Sequence, residues 1–388
     1  MSVIRTSHLR PTIQQRLEVS IWIPVAALVA VGLLMVFSTS FGFGLSGQGL
    51  PALRLLGKHL AGMALGIVLL LLGMCTPLRT LRHLAPWLLT ACIVLLSLVF
   101  VPGLSHRVGY HSRWISLRGW QFQPSEFAKV ALVLFLATAL SNRLTAHQRG
   151  RQTSLVGPLA FVGVTGLLVA AEPNFATAAV IGLAVLAMLY LAGEQGRLIA
   201  GLVLVAALLF VIGLQFDPGA KWERLLAFFS KGGLTAHARG IGYQTTQSVS
   251  ALGAGGVLGW GLGASSAKFG ALPFSNTDFV FAVLGQETGL VGCLLVLICY
   301  AALGLNGLTI GQRLATPFPS LLIAGLALTL TLQALVNIAV AVAWWVPMGV
   351  PLPFVSYGGS SLAASLAAVG LMINCARNGD ALRREGHR

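Results

Sequence analysis

The residue best placed for chemistry is Asp278. It stands in Asn276-Thr277-Asp278-Phe279, inside the stretch from Gly242 to Gly289, the longest part of the chain that cannot be a plain membrane span. That stretch is Gly-rich, polar in patches, and ends by running into a fresh apolar helix. A carboxylate at such a boundary can act as a general base, which works best with a pKa near ambient pH. A helix beginning beside it would lower that pKa, and burial under a lipid headgroup would raise it. The same position also suits a helix cap, because Asn276 or Thr277 can cap and an acid is favoured in the first turn. Both readings stand at this level.

The chain has only ten carboxylates. Glu18, Glu194, Asp380 and Glu385 fall on the inner side of the topology described below, which leaves Glu126, Glu172, Asp217, Glu223, Asp278 and Glu287 for any outward-facing reaction. Glu126 and Lys129 lie three apart behind Pro124, on one helix face, where they can pair. Charges inside a span are costly and mark either function or a structural ion pair. Glu287 is nine residues beyond Asp278, roughly 13 Å along a helix. That depth fits a buried structural or gating partner better than a catalyst. Glu172 opens the short break Glu172-Pro173-Asn174-Phe175, which reads either as a turn with a helix start or as a functional acid. Arg113-Trp114 and the Lys268 region are candidate phosphate contacts or solvated loop charges, Arg offering a bidentate grip and Lys a point charge. Ser356-Tyr357-Gly358-Gly359-Ser360-Ser361 can line a cavity or cap the last span. There is no P-loop, His/Cys metal cluster or GxSxG nucleophile elbow.

The elements that hold these residues are apolar. Of 388 residues, 56% are hydrophobic and 9% charged, against about 25% charged in soluble proteins. Continuous apolar runs of roughly twenty residues predict an all-α, polytopic membrane protein. Ten spans are expected, at about 21–43, 60–76, 85–102, 124–142, 155–171, 175–192, 198–215, 279–304, 321–345 and 362–376. They form a single membrane domain over 1–388, with one large extracytoplasmic loop over 216–278. The first run is too long for a signal-peptide core. Arg and Lys favour the short inner loops, so both termini are expected in the cytoplasm and Asp278 faces outward. The net charge of +15 is scattered between spans, which argues against nucleic acid. The five cysteines lie in or at the ends of apolar runs and read as small buried hydrophobes.

Separated motifs then fall into a known order: Arg113-Trp114, Gln123-Pro124-Ser125-Glu126 with Lys129, Glu172-Pro173, Gly242-Tyr243-Gln244, Gln247-Ser248, Thr277-Asp278-Phe279 and Pro353-Phe354-Val355-Ser356-Tyr357-Gly358-Gly359-Ser360-Ser361. Over essentially its whole length the chain resembles the SEDS family (shape, elongation, division and sporulation). The runs Ala251-Leu252-Gly253 and Gly259-Trp260-Gly261-Leu262-Gly263 look more like its cell-division branch.

The resemblance implies a peptidoglycan glycosyltransferase that polymerises lipid II, an undecaprenyl-pyrophosphate disaccharide-pentapeptide, at the outer face of the bacterial cytoplasmic membrane, at the division septum. The family's essential acid falls on Asp278. Arg113, Arg224 and Lys268 are the candidates, by position, for the departing pyrophosphate. Glu126, Lys129, Ser356 and Tyr357 are further substrate-side candidates. No cofactor is certain, and Mg or Mn could share the charge. The implied partners are a class B penicillin-binding transpeptidase and other divisome membrane proteins. The alternatives are a lipid II flippase and an inactive scaffold for a transpeptidase. The chain departs from the family at Asn174, Phe274 and Gln286, where acids are common, and at Asn276, where His is common. The three lost acids bear on any metal role.

Overall fold

A computed structural model describes residues 9–45, 52–101, 105–108, 111–117, 120–172, 174–215, 221–230, 233, 236 and 240–379. Asp217, Lys231, Arg239 and Pro173 lie outside the described residues.

The helices follow the apolar runs. They are α1 (Leu9–Leu45), α2 (Ala52–Cys75), α3 (Leu78–Leu98), α4 (Pro124–Gln148), α5 (Val156–Ala171), α6 (Phe175–Leu191), α7 (Gly196–Gln215), α8 (Lys221–Phe229), α9 (Tyr243–Gly255), α10 (Val280–Arg313), α11 (Pro317–Ala341) and α12 (Gly359–Asn378). Among the described residues seven are long and apolar enough to cross a membrane, and α5, α6 and α7 are shorter apolar helices. Together they account for the ten expected spans. α11 and α12 are buried along most of their length, whereas α2 and α3 expose large aliphatic side chains such as Leu72 and Val94. Exposed aliphatics on a bundle of this composition face lipid rather than water. α2 and α12 meet through small residues: a Cβ on Gly62 would stand 2.3 Å from the Gly359 Cα, the close approach that membrane helices use in place of a hydrophobic drive.

Successive spans alternate in direction. The segment after α3, the α5–α6 turn, the long stretch before α10 and the segment between α11 and α12 therefore share one end of the bundle. Between α3 and α4 the chain makes a small antiparallel sheet in the order β1 (Ser105–Val108), β2 (His111–Leu117), β3 (Trp120–Phe122). Ile115 pairs with Phe122 across it and is buried. Sequence reading did not anticipate this sheet, whose strands are only three to seven residues long.

α10 is broken. Gly289 has φ 66° and ψ −165°, a backbone region open essentially to glycine alone. It lies nine residues past Val280, about 14 Å along the helix. The main-chain groups freed by the break are taken up by the Gly-rich loop after α9. Trp260 and Gly261 donate N–H bonds to the Gln286 and Glu287 carbonyls, both at 3.0 Å. Leu290 and Val291 donate to the Gly256 and Val257 carbonyls at 3.0 and 3.3 Å. Part of the expected outer loop thus reaches down beside a span. Irregular backbone at that depth is tolerated because the protein satisfies it.

Candidate functional site

Three polar side chains in otherwise apolar helices fix the return segment between α11 and α12. Tyr300 on α10 donates its hydroxyl to the Pro353 carbonyl. On α11, Gln333 donates to the Pro351 carbonyl at 2.8 Å and Asn337 to the Val350 carbonyl at 2.7 Å. Asn337 also donates to the Asp278 carbonyl at 2.8 Å, so one amide ties the return segment to the start of α10. Ser356 continues the clamp: its hydroxyl donates to the Thr277 carbonyl at 2.6 Å and accepts from the Leu352 N–H at 2.7 Å. Tyr357 donates its N–H to the Asn276 carbonyl at 2.9 Å. The Asp278 backbone is held on both sides before its carboxylate does anything.

That carboxylate lies against Gly349, where a Cβ would stand 2.8 Å from Oδ2 and 3.6 Å from Nη1 of Arg113. Glycine leaves the space the acid occupies. Arg113 comes from β2, on the same strand face as buried Ile115, since residues two apart share a face. Its Nε donates to the Glu172 carbonyl at 3.3 Å, at the turn between α5 and α6. One guanidinium therefore connects three separate segments at this end of the bundle: β2, the α5–α6 turn and the start of α10. Burial raises the pKa of Asp278 from 3.8 to about 6, with the Arg113 charge opposing part of the rise. Asp278 is half-buried, so it is partly withdrawn from water yet remains reachable. A carboxylate with that pKa is largely ionised at neutral pH and still able to take a proton. Phe279, not Asp278, holds the cap position of α10, and no side chain caps there.

The remaining expected site residues divide. Ser356 and Tyr357 lie beside Asp278 as backbone clamps, and the Tyr357 ring stacks on His59 at 5.9 Å. Lys268 is a correction. Its ammonium is buried and donates to Glu287 at 3.0 Å, Ser38 at 2.9 Å and the Gly263 carbonyl. An ammonium has three donors, so none is left for a phosphate. Glu126 and Lys129 pair at 3.0 Å in the bundle interior, and Lys129 also donates to Gln333. Arg224 on α8 is half-buried, and its Nε has no hydrogen-bond partner.

Sequence reading missed one participant and left a second open. Asn337 carries a legible signal, an amide in the middle of an apolar helix. Glu172, one of the six acids left open by the sequence, is buried with both carboxylate oxygens unpartnered. Burial raises its pKa from 4.5 to about 8, against the opposing Arg113 charge. A divalent cation does not fit this donor set. Asn174 stands where the family resemblance implies an acid, a guanidinium lies by the two nearby carboxyls, and among the described residues no three His, Cys, Asp or Glu side chains converge.

Comparison with known proteins follows the same geography. The family model described as "Cell cycle protein" (FtsW, RodA, SpoVE) matches residues 18–380. Among relatives, a probable peptidoglycan glycosyltransferase FtsW of Taylorella equigenitalis is 33% identical, covering 88% of this chain and 94% of its own. Its namesake from Coxiella burnetii is 35% identical over 92% of this chain and 95% of its own. Among solved structures, a chain of a peptidoglycan synthase complex that coordinates polymerisation and crosslinking superposes with a TM-score of 0.73 at 29% identity, covering 92% of this chain and 97% of that one. The rod shape determining protein RodA of Thermus thermophilus gives 0.64 at 26%, covering 92% and 96%. With that match spanning nearly every transmembrane helix, the chain belongs to the SEDS family of FtsW, RodA and SpoVE proteins, on its FtsW branch.

Proposed function

We propose that this protein is a peptidoglycan glycosyltransferase that polymerises lipid II in septal wall synthesis, with Asp278 as its general base. The observation that carries the reading is the Asp278 carboxylate, clamped by its backbone, raised in pKa by burial and set beside a guanidinium at the end of the bundle where the large loop lies.

The chemistry follows. Asp278 takes the proton from the 4-hydroxyl of one sugar as that oxygen attacks the anomeric carbon of another. The bond from that carbon to the lipid-linked diphosphate breaks, and the electron pair leaves on the phosphate oxygen. The configuration inverts, from an α-linked donor to a β-1,4 product. Arg113 meets the charge that develops on the diphosphate, a role suited to a bidentate donor. Arg224 is the second cation for that role, with an unsatisfied Nε. Lys268 takes no part, and Glu126 and Lys129 hold the bundle interior.

The site end faces the outside of the cytoplasmic membrane in this reading, with both termini in the cytoplasm. The partner is a class B penicillin-binding transpeptidase, in line with the complex to which the solved neighbour belongs. One observation favours a transporter: a broken helix with buried charge beside it, a feature of transport sites. Against it, the break's main-chain groups and the Lys268 ammonium are already satisfied.

The test is purified protein, with its transpeptidase, incubated with lipid II. Glycan strands from wild type and none from Asp278→Asn are expected. Equal product from both removes Asp278 from its role. Lipid II crossing vesicles without any strands would make the chain a flippase.

A further inference from the structure

Glu172 is the group in this region that the mechanism above does not use. Its side chain is buried, and neither carboxylate oxygen has a hydrogen-bond partner. The Oδ1 atom of neighbouring Asn174, also buried, is unpartnered as well. Leaving an ionised carboxylate in that condition is costly, and a neutral acid is far cheaper. Among the described residues, the guanidinium whose field reaches it is that of Arg113, which binds the Glu172 main-chain oxygen at 3.3 Å and whose Nη1 end lies by Gly349 with Asp278. On α4, which also borders the α5–α6 turn through Ser125 and Asn174, Glu126 and Lys129 neutralise each other. Among the described residues, Arg113 is the charge that acts on both carboxyls, Asp278 and Glu172, with Arg224 the further cation on the diphosphate side.

We propose that Glu172 is a positioning residue that works as a neutral carboxylic acid: while it keeps its proton, Arg113 stays directed to Asp278 and the diphosphate, and when it ionises it draws the guanidinium away and switches the site off.

The physical reason is that one guanidinium cannot serve two carboxylates and an incoming diphosphate together. With Glu172 protonated, Asp278 and Arg113 balance, and the diphosphate meets a site without net negative charge. With Glu172 ionised, the same pocket carries an added negative charge at low dielectric, which repels the diphosphate and competes with Asp278 for Arg113. The shift of this carboxyl to about 8 agrees with a proton retained at neutral pH. Glu172 acts through Arg113 and touches no reacting atom in this account. The inference rests on the roles given above to Asp278 and Arg113.

The test is the pH dependence of lipid II polymerisation by the full chain with its transpeptidase, for wild type and Glu172→Gln, with kcat and KM determined separately. Gln copies the neutral acid. At pH 7 the variant should stay within about threefold of wild type. Wild type should lose about tenfold in kcat/KM between pH 7 and 9, mainly through KM, as a group near pH 8 ionises. Glu172→Gln should lack that alkaline loss. An equal alkaline loss in both proteins overturns the proposal, as does a folded Glu172→Gln that is inactive at pH 7. If the variant does not fold, the wild-type profile still decides: a rate flat to pH 9 overturns the proposal. Asp278→Asn run in parallel separates the two claims. If it is inactive while the alkaline loss is unchanged by Glu172→Gln, only the present inference fails; if it is fully active, the base assignment itself fails.

Discussion

Two regions of this molecule bury carboxylates, and they treat them in opposite ways. Beside the break in α10, Glu287 meets Lys268 at 3.0 Å, Ser38 bonds to both, and the surrounding main chain is tied across the break. At the end of the bundle, Asp278 and Glu172 lie by a single guanidinium, with burial pushing both carboxyl pKa values up. The first region uses its charges to hold a shape. The second leaves them able to change protonation. A buried charge is therefore poor evidence of catalysis by itself; what distinguishes the two regions is whether the charge is already matched.

Acid-to-amide substitutions break the comparison most directly. Asp278→Asn should cut polymerisation by at least about 100-fold, the usual worth of a positioned base, and leave thermal unfolding in detergent unchanged. Glu287→Gln should do the reverse. It strands the buried Lys268 ammonium, and removing one partner of a buried pair costs about 3–5 kcal/mol. Unfolding should occur at lower temperature, while activity per folded molecule is kept. If Glu287→Gln is as stable as wild type but inactive, the distinction between the regions fails.

A smaller effect sharpens it. Gly349→Ala places a methyl where the Asp278 carboxylate now lies, 2.8 Å from Oδ2. The flexible side chain yields more easily than backbone, so stability should hold. The rate should fall by about tenfold to 100-fold, as expected for an ångström-scale misplacement. Wild-type rate in Gly349→Ala would mean the carboxylate position does not matter.

Much of this was legible in the residues. The spans follow from uninterrupted apolar runs, and Asp278 from the scarcity of acids and its place at a loop-to-helix boundary. Glu287 was legible as a buried partner from its depth in a span. The partner itself was not: Lys268 sits in a loop that reads as exposed, and only its descent beside the α10 break buries it. The break was hidden because Gly289 lies in a run whose composition suits an unbroken helix. The β sheet was hidden because its strands are too short for a period to emerge. Glu172 was visible as one of six candidate acids, but its lack of a partner was not, because no spacing encodes it.

The central claim is that Asp278 is a base tuned by burial and restrained by Arg113. It is tested most directly by the pH dependence of the lipid II polymerisation rate on the acid side, for wild type and Arg113→Gln. Asp278 must be ionised to act, so wild-type activity should fall as pH drops through about 6. Arg113 favours the ionised form, so removing it should lower the maximal rate and move the fall to higher pH. A midpoint that stays put, or moves to lower pH, would contradict the account.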